Sequence, residues 1–348
     1  MPALKGQWQR LTSHAEPFQR SSQCLSVVGD TAYIFGGELE PRIPRDNKLY
    51  AVSLLGDGDV DQEQARLRVI HSPQAPAPRV GAASTSIGSK VYYFGGRGGP
   101  SMACLESKGA LEVFDTESNR WDVLTPASET RPEDRSYHSM ASDTQKTIYV
   151  HAGCPAQGRL HDLWSFDIST REWKQLASAP GGGRGGTSIA YGQRGEKKLY
   201  RVNGFDGKTE QGGSVDVYDV DTNQWSSINY KPDGTQGPER RSVAALVAAK
   251  SGAGKEYLLT LFGEGAPSDL GHAGAGRMFN DVWAFDLEDS RWLRVESDGH
   301  AKSPLARGWF AADTWRGAYD GSDAVVVQGG LHDDNSRLGD VWILQLGD

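Results

Sequence analysis

The sequence predicts an all-β protein, a propeller of six four-stranded blades, and three repeated features support this fold class. An aromatic-Asp pair is followed by Trp, seven residues after the aromatic residue, in copies about 50 to 60 residues apart, a spacing typical of propeller blades. A hydrophobic hairpin with a glycine-rich break precedes each pair, and one Arg precedes each hairpin. The clearest copies are Phe114-Asp115 with Trp121, Phe166-Asp167 with Trp173, Tyr218-Asp219 with Trp225, and Phe285-Asp286 with Trp292.

The hairpins predict the two innermost strands of each blade. Short apolar runs bounded by glycine, such as Val91-Tyr92-Tyr93-Phe94, are typical of buried strands. Glycine at the break permits a positive φ angle and close packing near a crowded axis. The breaks lie at Gly36-Gly37, Gly95-Gly96, Ala152-Gly153, Asn203-Gly204, Gly263-Glu264 and Gly329-Gly330.

The two ends of the chain predict how the ring closes. The sixth repeat stops at Leu344-Gln345-Leu346 and lacks an outer strand with Trp, whereas residues 6–11 contain an unmatched Trp8. We expect the N-terminal strand, about residues 6–11, to complete the sixth blade, which leaves no long unpaired edge. Residues 1–348 then form a single domain, because each blade buries its faces only against its neighbours.

Composition argues against several classes of partner. The net charge is −8 with no basic run, which disfavours nucleic acid, and no apolar stretch approaches the roughly 18 residues of a membrane span. Three cysteines lie in three different repeats, and the N-terminus lacks the apolar core of a signal peptide. We therefore expect reduced thiols and a cytoplasmic protein. The sequence leaves open whether the chain forms a homodimer.

The fifth repeat departs from the others in the loop of residues 263–277. This loop contains Glu264, Asp269 and His272 within nine residues. Two carboxylates and one imidazole suit Fe(II) or Mn(II), and they can occupy one face of an octahedron while leaving positions for a substrate. Pro267-Ser268-Asp269 is also a good turn sequence, so a purely structural loop is the alternative interpretation.

Arginines and one tryptophan are candidates for substrate binding. A ring of guanidinium groups would suit an anionic substrate, but such side chains can equally bond backbone carbonyls between blades. Arg97 adds a further guanidinium on a glycine-rich break, and Trp309 lies either against a substrate or in the interior. The arginines that precede the hairpins are Arg20, Arg79, Arg135, Arg184, Arg241 and Arg307.

The glycine breaks and the spaced aromatic and Trp residues resemble the kelch repeat over nearly the whole chain. The 263–277 loop, with Phe262-Gly263-Glu264 before it and Gly271-His272-Ala273-Gly274 within it, is similar to the iron-binding loop of the plant specifier proteins. These are the nitrile-specifier, epithiospecifier and thiocyanate-forming proteins of glucosinolate breakdown. Matching segments occur in other blades, namely Phe94-Gly95-Gly96-Arg97, residues 135–141, Gly183-Arg184-Gly185-Gly186 and Arg307-Gly308-Trp309.

This resemblance implies an Fe(II) cofactor held by Glu264, Asp269 and His272, which would also be the catalytic residues. It further implies a small anionic substrate, for which we single out Arg97 and Arg135 because both lie in matching segments, with Trp309 beside them. The implied activity directs a labile intermediate, such as a glucosinolate aglucone, to a nitrile or related product without net redox.

One ligand departs from the family pattern. That pattern is Glu, then Asp four residues on, then His four further, whereas here Ser268 occupies the middle position and Asp269 comes one residue late. Either the loop shifts so that Asp269 reaches the metal, or the site has only two protein ligands. The departure also leaves the family's substrate open.

Two alternative functions remain at the level of sequence. A metal-independent isomerase or lyase could act on a reactive secondary metabolite such as an epoxide, with a carboxylate of the same loop as proton donor. The chain could instead be a non-catalytic interaction module that binds a protein through its blade-edge loops.

Overall fold

The computed structural model describes residues 4–12, 16–55, 66–192, 195–271, 274–297, 303–319 and 321–347. Its regular structure consists of strands, and no helix in these ranges is long and apolar enough to cross a membrane. In chain order the strands are β1 Leu4–Thr12, β2 Ser21–Val28, β3 Thr31–Glu40, β4 Ile43–Pro44, β5 Leu49–Ser53, β6 Leu67–Ile70, β7 Ala83–Ile87, β8 Lys90–Phe94, β9 Arg97–Gly98, β10 Ala103–Cys104, β11 Leu111–Asp115, β12 Arg120–Leu124, β13 Ser139–Ser142, β14 Thr147–Gly153, β15 Leu160–Asp167, β16 Glu172–Leu176, β17 Ser188–Tyr191, β18 Lys198–Val202, β19 Ser214–Asp219, β20 Gln224–Asn229, β21 Ala245–Lys250, β22 Glu256–Leu261, β23 Glu264–Ala266, β24 Arg277–Met278, β25 Val282–Asp286, β26 Arg291–Ser297, β27 Ala311–Tyr319, β28 Ser322–Leu331 and β29 Arg337–Leu346.

The main strands form six antiparallel four-stranded blades, and the predicted all-β propeller is confirmed. From the inside outward, blades 1 to 6 are β2-β3-β5-β6, β7-β8-β11-β12, β13-β14-β15-β16, β17-β18-β19-β20, β21-β22-β25-β26 and β27-β28-β29-β1. The N-terminal strand β1 pairs antiparallel with β29, from Gly6 opposite Leu346 to Arg10 opposite Trp342. Its first residues also pair with β26, so blades 5 and 6 are joined in one sheet.

The aromatic-Asp and Trp motif is the outer hairpin of a blade. In blade 2, Phe114 lies directly opposite Trp121, with ring centroids 5.2 Å apart. Asp115 tightens the turn between them, because its Oδ1 accepts hydrogen bonds from the backbone N–H groups of Glu117 and Ser118 at 3.0 and 2.9 Å. The seven-residue spacing is therefore the length of this hairpin. The other motifs form the same pairs, Phe166 with Trp173, Tyr218 with Trp225 and Phe285 with Trp292.

The hydrophobic core is divided among the interfaces between blades. Six clusters of buried side chains lie one between each pair of neighbouring blades. Between blades 5 and 6, for example, Trp8 of the N-terminal strand packs on Phe262, with ring centroids 5.9 Å apart. Each blade thus has two apolar faces that only its neighbours cover, which couples the blades into one domain.

The repeated arginines stabilise the blades from within. Each donates a hydrogen bond from its Nη1 to the carbonyl of the first residue of the glycine break in its own blade. In blade 5 the structure places this break at Phe262-Gly263, one residue earlier than predicted, because Gly263 has the positive φ of the other break glycines. Arg135, Arg241 and Arg307 also bind a carboxylate at the start of the third strand through two hydrogen bonds each. The carbonyl contacts are Arg20 to Gly36, Arg79 to Gly95, Arg135 to Ala152, Arg184 to Asn203, Arg241 to Phe262 and Arg307 to Gly329.

Two closed rings of backbone hydrogen bonds join the blades around the axis. In the first ring, the glycine of each break donates to the carbonyl of the arginine in the next blade, at 2.8 to 2.9 Å. The second ring joins the residues two positions after each arginine, with N–H to O distances of 2.6 to 3.1 Å. In this ring each blade donates to the preceding blade, so blade 6 donates to blade 5 and blade 1 donates to blade 6. The members of the second ring are Ser22, Gly81, Tyr137, Gly186, Val243 and Trp309, all with positive φ.

We expect Arg307→Met to destabilise the protein strongly. The change leaves the buried Asp340 without the guanidinium that donates to it at 2.7 and 2.9 Å, a loss of about 3 to 5 kcal/mol. Arg184→Met is the matched control, because Arg184 has the same carbonyl contact but no hydrogen-bonded carboxylate among the described residues, and we expect it to cost about 1 kcal/mol. Urea unfolding followed by Trp fluorescence measures both, and equal losses would contradict this role of the carboxylate pair.

Candidate active site

A cavity of about 530 Å³ lies where the six glycine breaks converge, and all six blades contribute to its wall. Its volume suits a small organic molecule. Two smaller cavities, of about 190 and 300 Å³, continue along the inner strands. The large cavity is therefore the wide end of the channel that the propeller encloses.

One structural position in each blade supplies a side chain to this cavity. It is the residue directly after the glycine break, and it pairs with the residue directly after the repeated arginine. Six blades place six different side chains at equivalent positions around the axis, so the chemistry of the cavity depends on which residue each repeat carries there. These residues are Glu38, Arg97, Cys154, Phe205, Glu264 and Leu331.

Glycine is required immediately before two of these positions. Gly263, which precedes Glu264, has φ +102°, and a Cβ there would lie 2.7 Å from the backbone oxygen of Ser242. Gly96, which precedes Arg97, has φ +99°, and a Cβ would lie 3.1 Å from the oxygen of Val80. No side chain fits either site, so the glycines determine where the following side chain enters the cavity.

The floor of the cavity is formed by the second backbone ring. Tyr137 and Trp309 belong to that ring and pack edge to face with centroids 5.4 Å apart. Both have positive φ, 52° and 59°, which is uncommon for aromatic residues and is maintained here by the ring. Trp309 thus lies in the cavity wall, and its contact with a substrate stays a prediction.

One side of the cavity is basic. Arg97 is held by hydrogen bonds from Nε to Ser136 at 2.6 Å, from Nη1 to the carbonyl of Met102 at 3.3 Å, and from Nη2 to the carbonyl of Pro155 at 2.8 Å. Arg159 lies over the ring of Phe205, 5.1 Å from its centroid, and its Nε is buried without a hydrogen-bond partner among the described residues. Arg97 therefore presents a fixed charge, whereas Arg159 retains donors for a ligand.

Two of the buried glutamates that line the cavity, Glu264 and Glu210, lie in blades 5 and 4. Glu264 accepts a hydrogen bond from the backbone N–H of Gly276 at 3.0 Å, yet burial raises the pKa of Glu264 to about 7. Glu210 is buried to the same extent, and neither of its carboxylate oxygens has a hydrogen-bond partner within 3.5 Å among the described residues. Burial is the largest cause that raises the pKa of Glu210 to about 8; the nearby Ser242 hydroxyl lowers this pKa, and the charges of Glu264 and Asp206 raise it further.

Arg135 does not line the cavity. Its side chain is fully buried, and its guanidinium donates to both oxygens of Asp162, at 2.7 and 2.9 Å, and to the carbonyl of Ala152. The position of Arg135 agrees with the structural interpretation of the repeated arginines rather than with a contact to substrate. We therefore leave Arg135 out of the proposed site.

The predicted metal triad is only partly placed by the structure. Glu264 lines the cavity, but Asp269 is exposed and outside its wall, while Ser268, at the family's expected ligand position, lies in the wall. His272 lies outside the described residues. Within the described ranges, no group of three His, Cys, Asp or Glu side chains is arranged to hold a metal ion.

The chain belongs to the kelch-repeat family. The sequence profile of the KLHDC2/KLHL20/DRC7 Kelch-repeats domain matches residues 22–253. The solved structure of YjhT has the same fold, with a TM-score of 0.69 over 95% of this chain and 98% of that chain, at 16% identity. The predicted resemblance to the kelch repeat is thus confirmed.

Two curated relatives cover nearly the whole chain. It is 28% identical to N-(sulfonatooxy)prop-2-enimidothioate sulfolyase of Thlaspi arvense over 97% of both proteins, which confirms the predicted resemblance to a specifier-like plant protein. It is 24% identical to the leucine-zipper-like transcriptional regulator 1 homolog of Drosophila melanogaster, over 97% of this chain and 32% of that protein. The similarity to the sulfolyase extends through all six blades.

Sequence reasoning missed Arg159 and Glu210. Both lie a few residues after a glycine break, at Ala152-Gly153 and Asn203-Gly204, in repeats whose breaks have ordinary lengths. The long loop that distinguishes the fifth repeat has no counterpart in these two repeats. Comparing the residues that follow all six breaks would have drawn attention to these two segments.

We expect the stability of the metal-free protein to depend on pH through Glu210. Its pKa is about 8 in the folded protein and 4.5 ordinarily, so the stability contributed by its protonated form is full below about pH 4.5 and is lost as pH rises through 8. Glu210→Gln removes this dependence because the amide never ionises. In EDTA, the Tm of Glu210→Gln should match the wild-type Tm at pH 5 and exceed it at pH 8.5.

Glu172→Gln is the control for this experiment, because Glu172 is an exposed glutamate on the outer strand β16. Its Tm should follow the wild-type value at both pH values. A difference between Glu210→Gln and the wild type that does not grow with pH would contradict the uncompensated burial of Glu210.

Proposed function

We propose that this protein is a lyase-like enzyme of the specifier type that acts on a small, labile organic anion with a sulfate leaving group. A glucosinolate aglucone, which it would direct to a nitrile or related product without net redox, is the substrate that the resemblance favours. The observation that carries the proposal is that one small cavity is lined both by arginines and by buried carboxylates, with Arg97 of blade 2 across the ring from Glu264 of blade 5. The end-to-end similarity to a sulfolyase supports the same substrate class.

The basic wall fits the leaving group. A sulfate that departs from nitrogen takes both electrons of the N–O bond, so negative charge on the sulfate oxygens increases during the reaction. Arg97 is held by the protein before any ligand binds, and Arg159 has donors available, so both can stabilise that charge without reorganisation. The rings of Phe205 and Trp309, which also line the cavity, offer contacts for the organic part of the substrate.

The acidic wall fits the implied Fe(II) cofactor in part. Glu264 is a buried hard-oxygen donor with no basic side chain close enough to lower its pKa among the described residues, so it fits a divalent cation. By the resemblance, His272 would be its partner ligand. Fe(II), when bound, supplies a Lewis acid for sulfur or oxygen of the substrate. Glu264 would then orient the reacting end of the substrate opposite the arginines.

A metal-independent lyase or isomerase is the second candidate function. The exposed position of Asp269 favours it, because the predicted three-ligand set is incomplete among the described residues. In this case a buried carboxyl group of the acidic wall would donate a proton to the substrate. Activity that survives thorough removal of metal distinguishes this candidate from the first.

We expect Arg159→Met to lower the formation of the directed product about 100-fold in kcat/KM, because the change removes a donor to the developing sulfate charge. The test is product analysis on an aglucone generated in place by myrosinase, with anaerobic Fe(II) and with chelator. Arg120→Met, at an exposed position on the outer strand β12, is the control and should behave like the wild type.

Three outcomes decide between the proposals. A wild-type protein that leaves the product distribution unchanged in all conditions would refute the enzymatic function. Product formation that requires Fe(II) supports the first candidate, and formation that is equal in chelator supports the second. Equal activity of Arg159→Met and the wild type would refute the assignment of the sulfate to the basic wall.

A further inference from the structure

We infer that Glu210 and Glu264 together form a dicarboxylate site for one divalent cation, and that Glu210 provides the second carboxylate that the resemblance assigns to Asp269. The cation is one that prefers oxygen ligands, such as Mn(II) or Fe(II). The site lies in the cavity of the proposed function. The inference rests on that function for the role of the cation, but not for its binding.

Ser242 connects the two glutamates. Its backbone pairs with that of Glu264, with both N–H to O distances 2.9 Å, and its hydroxyl is close enough to Glu210 to affect the pKa of that residue. The charge of Glu264 also raises the pKa of Glu210, and all three residues line the cavity. Two carboxylates from neighbouring blades therefore meet beside one serine.

Glu210 is held in place by a short hairpin. The carbonyl and N–H groups of its loop pair across the break, with Gln211 N–H donating to the Gly204 carbonyl at 2.7 Å. Asp206 tightens the turn by accepting from the N–H groups of Lys208 and Thr209, both at 2.8 Å. The side chain of Glu210 is thus directed into the wall by ordered backbone, and it remains only 7% exposed.

No cationic side chain among the described residues compensates the charge of this pair, although Glu264 accepts one hydrogen bond from the backbone N–H of Gly276. Both oxygens of Glu210 are buried without a hydrogen bond, and the charged groups that affect its pKa are two other carboxylates. No arginine or lysine in the described ranges lowers the pKa of either glutamate. Buried carboxylates without partners are unfavourable, and a divalent cation between two of them removes the penalty for both.

Asp269 does not have these properties. It is exposed and outside the cavity wall, although it lies in the same loop as Glu264. A shift of the loop by one residue relative to the family pattern would turn the aspartate outward, and a carboxylate from blade 4 would take its role. The comparison of Glu210 with Asp269 therefore provides a matched test.

The test is a titration of the metal-free full chain with Mn(II), in which electron paramagnetic resonance measures free Mn(II). We expect one Mn(II) per wild-type chain, with affinity reduced at least about tenfold in both Glu210→Gln and Glu264→Gln. Asp269→Asn should stay within about twofold of the wild type, since an exposed carboxylate outside the cavity contributes only weak electrostatic attraction.

A second measurement separates loss of a ligand from loss of structure. Metal-free Glu210→Gln should melt at or above the wild-type temperature at pH 8, because it removes a buried unpaired charge, yet Mn(II) should no longer raise its Tm. A folded Glu210→Gln protein that binds Mn(II) as tightly as the wild type would overturn the inference. So would a wild type that binds none, or an Asp269→Asn variant that loses binding as Glu264→Gln does.

The outcomes also separate this inference from the proposed function. Mn(II) binding that requires Glu210, without any change in aglucone products, supports the cation site and refutes the proposed enzyme. Directed product formation with unchanged Mn(II) binding in Glu210→Gln supports the enzyme and refutes the site.

Discussion

The closed ring of backbone hydrogen bonds around the axis is the constraint on which the rest of the structure depends. Each blade donates to one neighbour and accepts from the other, so no member can leave its position without breaking two contacts. The ring keeps Val243 and Trp309 at φ angles of 45° and 59°, which a β-branched or aromatic residue rarely adopts alone. The strained backbone of Val243 and Trp309 thus lies at the cavity, and the ring holds it in place.

A rigid ring places the residues that differ among the repeats around one cavity. The six positions after the glycine breaks are equivalent in backbone geometry, yet they carry two acids, one base, one thiol and two apolar side chains. Because hydrogen bonds fix the backbone, the side chains determine the field in the cavity. Arg97 of blade 2 lies across the ring from Glu264 of blade 5, whereas Arg159 and Glu210 both adjoin Phe205.

Burial explains why similar charges have different roles in this protein. The guanidinium of Arg307 is as buried as any group in the fold, but Asp340 compensates it with two hydrogen bonds, so the pair is structural. Glu210 is buried at the edge of a cavity and has no such partner among the described residues. The two groups differ in whether a partner of opposite charge compensates the buried charge. Glu210, which has no such partner, is therefore a group that a cation or a proton would stabilise.

The sequence by itself determined the blades, because the hairpin that pairs Phe114 with Trp121 and the break before Glu264 depend on local spacing and on glycine. It also predicted Arg97, Trp309 and Glu264 as site residues, and the structure places all three in the wall of the cavity. Only the tertiary structure decided that Arg135 is compensated by Asp162, that Asp269 is exposed, and that Glu210 shares a wall with Glu264. Burial and compensation of charge depend on residues from neighbouring blades, which are distant in sequence and meet only when the ring closes.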